Sequence, residues 1–296
     1  MKNFLFSVTT FLALSLVFSL SSCNKQETEG EAIMCQNEEA YIDLASDLVE
    51  INSQYGVMPE SKGNWWRYLI VGLGDAGGFF LAGTGATGVS AGVSLSTLLW
   101  TILKPKEGKK TEAQEGVMDN PFVSKFETTI PFLPQRESSI SVEGDLHNKI
   151  ISVMYEKYGD NMFSFSSSKL IDIVERTTAE VMGVSLSEAK LGKEFTLEDI
   201  ERAADDFMQS NSSEEFVSRL CKDYPSKASE LSILKVVGNG YDQIVDLEEV
   251  TSYSLDVVTA IDNSGIPEKS KQVLKGTVSV ADASCHLWDT RQIQKL

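Results

Sequence analysis

Two short stretches carry residue types and spacings that could do chemistry. Gly88-Val-Ser90-Ala-Gly92 has the spacing of a hydrolase nucleophile elbow, with His147 and His286 downstream where a general base would stand. Gly72-x-Gly74-x-x-Gly77 has the spacing of a dinucleotide-binding turn, whose glycines let backbone approach a pyrophosphate. Both lie within residues 71–92, which contain eight glycines. Each chemistry demands more than its spacing. An elbow needs a strand ahead of its serine, and Leu81-Ala-Gly-Thr-Gly-Ala-Thr87 is a poor strand; no His-Gly-Gly oxyanion motif is present. A dinucleotide turn needs an acid about twenty residues further on and repeated βαβ units. After Asp75 the next acid is Glu107, and the chain lacks alternating strands. Ser90 therefore stands as the leading catalytic alternative, and the cofactor reading falls away.

The other reactive residues point to structure. Cys285 and His286 are adjacent, so on a helix they project about 100° apart and cannot pair as nucleophile and base. Cys285 falls on an apolar stripe and Cys221 follows Leu220 on another, as small buried side chains do. His286 lies beside its stripe as a surface or edge histidine. His147 precedes Asn148 in a helix's first turn, where a polar contact to backbone is the ordinary role. Two histidines without ligand spacing argue against a transition metal, the long cysteine spacings fit no zinc pattern, and no calcium loop occurs. No cofactor is expected. A formal net charge of −17 disfavours nucleic acid as a partner.

The glycines have a second use. Gly74, Gly78, Ala82, Ala86, Ser90 and Ser94 recur every four residues, and Gly88, Gly92 and Ser96 form a second row. On helices such rows make smooth grooves that admit another helix closely, as in tightly packed membrane segments. The block from Trp65 to Leu103 carries only Arg67 and Asp75 as charges. Trp65, Trp66 and Tyr68 stand at one end and Trp100 at the other, followed by Lys104, Lys106, Lys109 and Lys110, an interfacial pattern. A single helix from Ala76 to Leu103 would be about 42 Å long, enough to cross a bilayer core. The alternative is a hairpin of two short helices bent at Gly83-Thr-Gly85-Ala-Thr-Gly88, either at a membrane or inside a soluble core.

The flanking elements read as follows. Residues 36–103 hold an amphipathic helix, with Tyr41, Leu44, Ala45, Leu48 and Val49 on one face, and then the glycine-rich block. Residues 104–138 contain four of the seven prolines and read as a linker or wrap. Residues 139–296 read as a C-terminal multi-helix domain. Leu146, Ile150, Met154 and Tyr158 recur at helical spacing, and Thr196/Asp199 and Ser212/Glu215 are N-terminal capping pairs. A last helix near Pro267 carries Leu274, Val278, Ala281, Cys285 and Trp288. Residues 231–237 are ambiguous between helix and strand. The fold class expected is mainly α: a glycine-rich helical segment or hairpin plus the C-terminal domain.

At the amino end, Lys2 precedes an apolar run from Phe4 to Leu20, the proportions of a signal peptide over residues 1–22. Leu20-Ser21-Ser22-Cys23 resembles the lipobox of bacterial lipoproteins, which implies acylation of Cys23 and a lipidated tether over 23–35. Asn24 after the cysteine, and the acidic NKQETEGE run, favour an outer-membrane lipoprotein on the periplasmic or surface side. Three cysteines then remain, Cys35, Cys221 and Cys285, which allow at most one disulfide. The glycine-rich block, the wrap, Gly144-Asp-Leu-His147-Asn148 and the ending Ala283-Ser-Cys-His-Leu-Trp288 are similar, over residues 70–290, to uncharacterised glycine-rich exported proteins of Bacteroidota. That resemblance implies structural roles for His147, Asn148 and Trp288 and no activity. The functional expectation is an envelope lipoprotein with a structural, interaction or membrane-associated role. Its partners would be a membrane, through lipid at Cys23 and residues 65–103, and a protein of unknown identity. Alternatives are a serine hydrolase using Ser90 and a membrane-inserting antagonist or toxin.

Overall fold

The computed structural model describes residues 29–55, 66–103, 140–192, 195–210, 212–244 and 247–288. Cys23, the signal peptide, Trp65 and the 104–138 wrap lie outside the described residues, as do the side chains of Cys35, Trp66, Tyr68, Trp100 and Trp288. Eleven α-helices and no strand are found among the described residues, so the protein is mainly α. In order they are α1 (Glu29–Tyr55), α2 (Trp66–Ala82), α3 (Ala86–Leu103), α4 (Val142–Tyr158), α5 (Ser167–Met182) and α6 (Leu186–Ala189). They continue with α7 (Leu197–Met208), α8 (Ser213–Asp223), α9 (Ala228–Tyr241), α10 (Leu247–Asn263) and α11 (Glu268–Trp288). The chain divides into two compact units, residues 1–39 and 40–296. Of the first, only the opening turns of α1 are described; α1 begins at Glu29, ahead of the expected 36. All that follows concerns the second.

Local chemistry sets the helix ends. Thr196 and Asp199 form a reciprocal capping box at the start of α7, and the Ser212 side chain accepts from Glu215 N at 3.1 Å to start α8. Ser185 and Glu188 form a second box that the sequence analysis did not single out. Residues 231–237 lie within helix α9. Gly183 closes α5 in the left-handed conformation, φ 66°.

Between α2 and α3 the glycine-rich block turns back on itself. Gly83 and Gly85 take φ of 84° and 89°, a region that costs an L side chain strain, and no atom would crowd a side chain at either. Their glycine requirement is thus one of backbone conformation. Of the two forms left open by the sequence, the hairpin is the one present. No described helix is long and apolar enough to cross a membrane.

Helix α2 is the centre of the fold and packs most extensively against α11 and α3. Its neighbouring residues Phe79 and Phe80 enter two different apolar clusters. Phe80 joins Leu95, Leu99, Phe207, Phe216, Tyr241 and Tyr253; Phe79 joins Val93, Ile150, Ile151, Met154 and Val280. Glycines make both approaches possible. A Cβ on Gly78 would lie 2.9 Å from Ala91 O and 3.1 Å from Leu95 Cβ of α3, and one on Gly74 2.6 Å from Leu99 Cδ1. On the opposite side, a Cβ on Gly72 would lie 2.8 Å from both Ala281 O and Cys285 Sγ of α11. The partners are cut to match. A Cβ on Gly276 of α11 would meet Phe79 Cε1 at 2.5 Å, and one on Gly144 of α4 would meet Ser279 O at 2.5 Å. Of the remaining small residues, Gly92 faces Asp75 O of α2, Gly88 faces Gly83 O across the turn, and Ala82 and Ala86 are half-buried beside it. Lys227 Nζ donates to Phe80 O and Leu81 O at 3.2 and 2.9 Å, satisfying carbonyls at the end of α2.

Alanine favours an isolated helix over glycine by about 1 kcal/mol, so its effect here separates propensity from packing. Gly78→Ala and Gly72→Ala are expected to lower stability in urea unfolding by about 1–3 kcal/mol, because backbone and buried side chains block the new methyl. Gly192→Ala, whose Cβ would meet only Thr87 Cγ2 at 3.7 Å, is expected to stay within about 0.5 kcal/mol of the native chain.

Candidate functional site

Three polar side chains meet at the junction of α2, α4 and α11. Asp75, His147 and Ser284 are each 0% exposed. Asp75 is the lone acid on α2, whose other charged residue is Arg67 near its start, and a buried carboxyl without polar company is strongly disfavoured. Ser284 Oγ donates to Asp75 Oδ2, and His147 Nε2 stands 3.5 Å from the same oxygen. On the far side of the ring, His147 Nδ1 lies 3.0 Å from Asn148 Oδ1, and Asn148 Nδ2 donates to Ala283 O at 2.8 Å. Gly92 of α3 closes the remaining side, its Cα facing His147 Cδ2. Burial pulls His147 down to about 4, against a smaller opposing push from the Asn148 side chain. The imidazole is therefore neutral at ordinary pH.

A second polar group sits further along α11. Thr251 Oγ1 of α10 donates to Asp282 Oδ1 at 2.9 Å and so accepts from His286 Nε2 at 2.8 Å. His286 is thus no surface residue; its side chain is 11% exposed. Nearby, Tyr241 and Ser254 hydroxyls lie 2.6 Å apart in full burial, which drives the Tyr241 phenol well above its ordinary range. Helix α11 thus carries Ser279, which meets Gly144 N of α4, Asp282 and His286, which both meet Thr251 of α10, and Ser284, which meets Asp75 of α2.

The geometry joins His147 and Asn148 as the sequence placed them, in the first turns of α4, but adds Asp75 and Ser284. The available signal was a single acid inside a long apolar block, which must find a buried partner. The residues do not form a nucleophile–base relay. Ser284 gives its hydrogen to the carboxyl and makes no hydrogen bond to the imidazole, and no solvent path reaches a group that is fully buried.

Ser90 is a correction to the elbow spacing. It lies inside helix α3, with no strand before it, is 0% exposed, and donates to Ala189 O at 2.9 Å. The sharp strand-to-helix bend that exposes a nucleophile is not there. Gly72, Gly74 and Gly77 likewise lie within α2 and face α11, α3 and Phe216 of α8 rather than a pyrophosphate. Cys285 is buried against Gly72 and Cys221 is half-buried with its thiol pushed up by burial; neither is in a disulfide. Among the described residues no group of three His, Cys, Asp or Glu side chains is placed to hold a metal ion. No family model matches the chain, and no curated protein or solved structure matches it.

The native chain is expected to remain unlabelled by a fluorophosphonate probe, because the Ser90 hydroxyl is enclosed and already committed to Ala189 O. Ser90→Ala is expected to cost about 1 kcal/mol in urea unfolding, the net worth of one buried hydrogen bond. Labelling lost in Ser90→Ala would reinstate the hydrolase.

Proposed function

We propose that the protein is an outer-membrane lipoprotein, anchored by lipid at Cys23, that serves as a structural or interaction module. The observation that carries this reading is the complementarity of the glycine-rich hairpin to its own domain. Gly72 and Gly78 are matched to α11 and α3, while Gly276 and Gly144 on the surrounding helices are recessed in turn. A segment held ready for lipid would not need shell helices carved to its side chains. Phe79 filling the space at Gly276 supports a permanent core. Asp75, Ser90, Ser94 and Thr97 point the same way, since each is buried on the hairpin with a polar partner inside the protein.

Under this reading the lipid supplies the membrane contact and the folded domain supplies the partner contact. A single acyl signal is weak and a lipoprotein anchor is stronger, so a second insertion by residues 65–103 is unnecessary. The outer helices are acidic, in keeping with the net charge of −17, which favours a basic protein surface as the partner.

Cys23→Ala is expected to move the chain from the membrane fraction to the soluble fraction of cells. A Cys23→Ala chain that stays with the membrane after high-salt washing would contradict the proposal and assign the second contact to the hairpin. Dye release from liposomes by the purified chain would then support the inserting alternative.

A further inference from the structure

One side of α2 is not filled by its neighbours. At Gly72, Gly74 and Gly78 another helix brings an atom to 2.8, 2.6 and 2.9 Å from the missing Cβ. Gly77 has only the edge of the Phe216 ring at 3.2 and 3.3 Å and Leu220 Cδ1 at 3.8 Å. Beside it, between α2, α8, α9 and α11, lies a cavity with about 20 Å³ of space for a water's centre. One water takes about 10–15 Å³ on that scale. Small residues leave the space open: Ala76 and Gly77 of α2, Ser213 of α8 and Ala281 of α11. Phe216, Val217, Leu220, Leu234, Val237 and Val278 close most of the rest, and every described lining residue is buried.

The large side chains on the wall are held from behind and do not swing in. Phe216 packs edge to face on Phe207, with ring centroids 5.4 Å apart, and Tyr241 does the same on Tyr253 at 4.9 Å. Ser254 Oγ gives its own hydrogen to Val250 O at 2.7 Å, so the Tyr241 hydroxyl donates to Ser254 Oγ at 2.6 Å. A wall fixed in this way cannot collapse, and atoms that face the void forfeit dispersion contacts.

Water is a poor occupant, since it needs about two to four polar partners. The surface turned to the cavity is nearly all carbon. Its hydroxyl groups are committed as donors elsewhere. Ser213 Oγ donates to Asp242 Oδ2 at 2.6 Å, Thr277 Oγ1 to Val273 O at 2.7 Å, and Tyr241 to Ser254. None of the described lining residues carries a charge.

We infer that this cavity is a preformed site for one small apolar molecule, the size of xenon or ethane and without hydrogen-bonding groups. Such a guest regains the missing dispersion contacts, and walls already in place need no ordering to receive it. Val217 of α8 and Leu234 of α9, at 6% and 8%, are the most exposed lining residues, which puts the thin side of the wall between those helices. The inference concerns the interior of the domain and does not rest on how the chain is anchored.

Xenon is the probe, because it has neither charge nor hydrogen-bonding groups. The full-length chain in detergent, with carbon-13 in its Leu and Val methyls, is followed by NMR under rising xenon pressure. The methyls of Val217, Leu220, Leu234, Val237 and Val278 are expected to shift and to saturate together. Those of Val89 and Val93, in the other apolar cluster, are expected to show only small linear shifts. Ala281→Val puts extra methyl groups in the cavity and is expected to abolish the saturable shifts. Three results overturn the inference: linear shifts alike across the chain, a nuclear Overhauser contact from bound water to the cavity methyls, or saturable shifts that survive in folded Ala281→Val. The wild-type titration decides the matter even if the variant does not fold.

Discussion

The architecture depends on how close two neighbours can come to α2. At Gly72 and Gly78 the backbone of one helix is approached from opposite sides, by Ala281 O and Cys285 of α11 and by Ala91 O and Leu95 of α3. A methyl group at either site would stand less than 3 Å from a carbonyl oxygen that belongs to another helix. Local energetics oppose this choice, because each glycine weakens a helix by about 1 kcal/mol relative to alanine. Packing decides the matter. The close approach brings Phe79, Phe80, Leu95 and Leu99 into full burial, and burying one such side chain is worth about 1.5–3 kcal/mol.

The polar junction of Asp75, His147 and Ser284 is the complement of that apolar packing. Apolar side chains fill space but leave sliding of one helix along another only weakly opposed. A buried carboxyl with directional partners on two other helices sets the register of α2 against α4 and α11, since a shift of one turn would strand it. Removing one member would leave a buried polar group unsatisfied, at a cost of about 1–3 kcal/mol. The second junction, Thr251, Asp282 and His286, does the same between α10 and α11. Helix α11 is therefore the element through which the hairpin, α4 and α10 are aligned.

Much of this was legible in the sequence where the signal is local. The capping pairs at Thr196 and Ser212, the helical periods over 142–158 and 268–288, and the turn chemistry at Gly83 and Gly85 are set by neighbours a few residues away. The α1 start was less so: residues 23–35 read as a tether because the NKQETEGE run is polar and acidic, yet Glu29, Glu31, Ala32 and Met34 are good helix formers. What each glycine meets was not legible. Gly72 and Gly78 are alike in sequence and face opposite partners, and nothing local says that Gly276, far along the chain, makes room for Phe79. Asp75 was counted as one of two charges in an apolar block without asking what would satisfy it. Its partners His147 and Ser284 lie distant in sequence, on α4 and α11, and only the tertiary fold joins them. Ser90 illustrates the converse, a spacing with the right letters on a helix that cannot expose them.

The central claim is that the hairpin arms over residues 74–81 and 88–99 are the innermost part of the folded domain. Amide hydrogen exchange on the full-length chain measures this most directly, because exchange of a core helix requires opening of the whole cooperative unit. The account predicts that amides of α2, α3 and the middle of α11 exchange slowest and at a common rate, with α1 and α5 faster. Rapid exchange confined to the hairpin, with the surrounding helices protected, would contradict it.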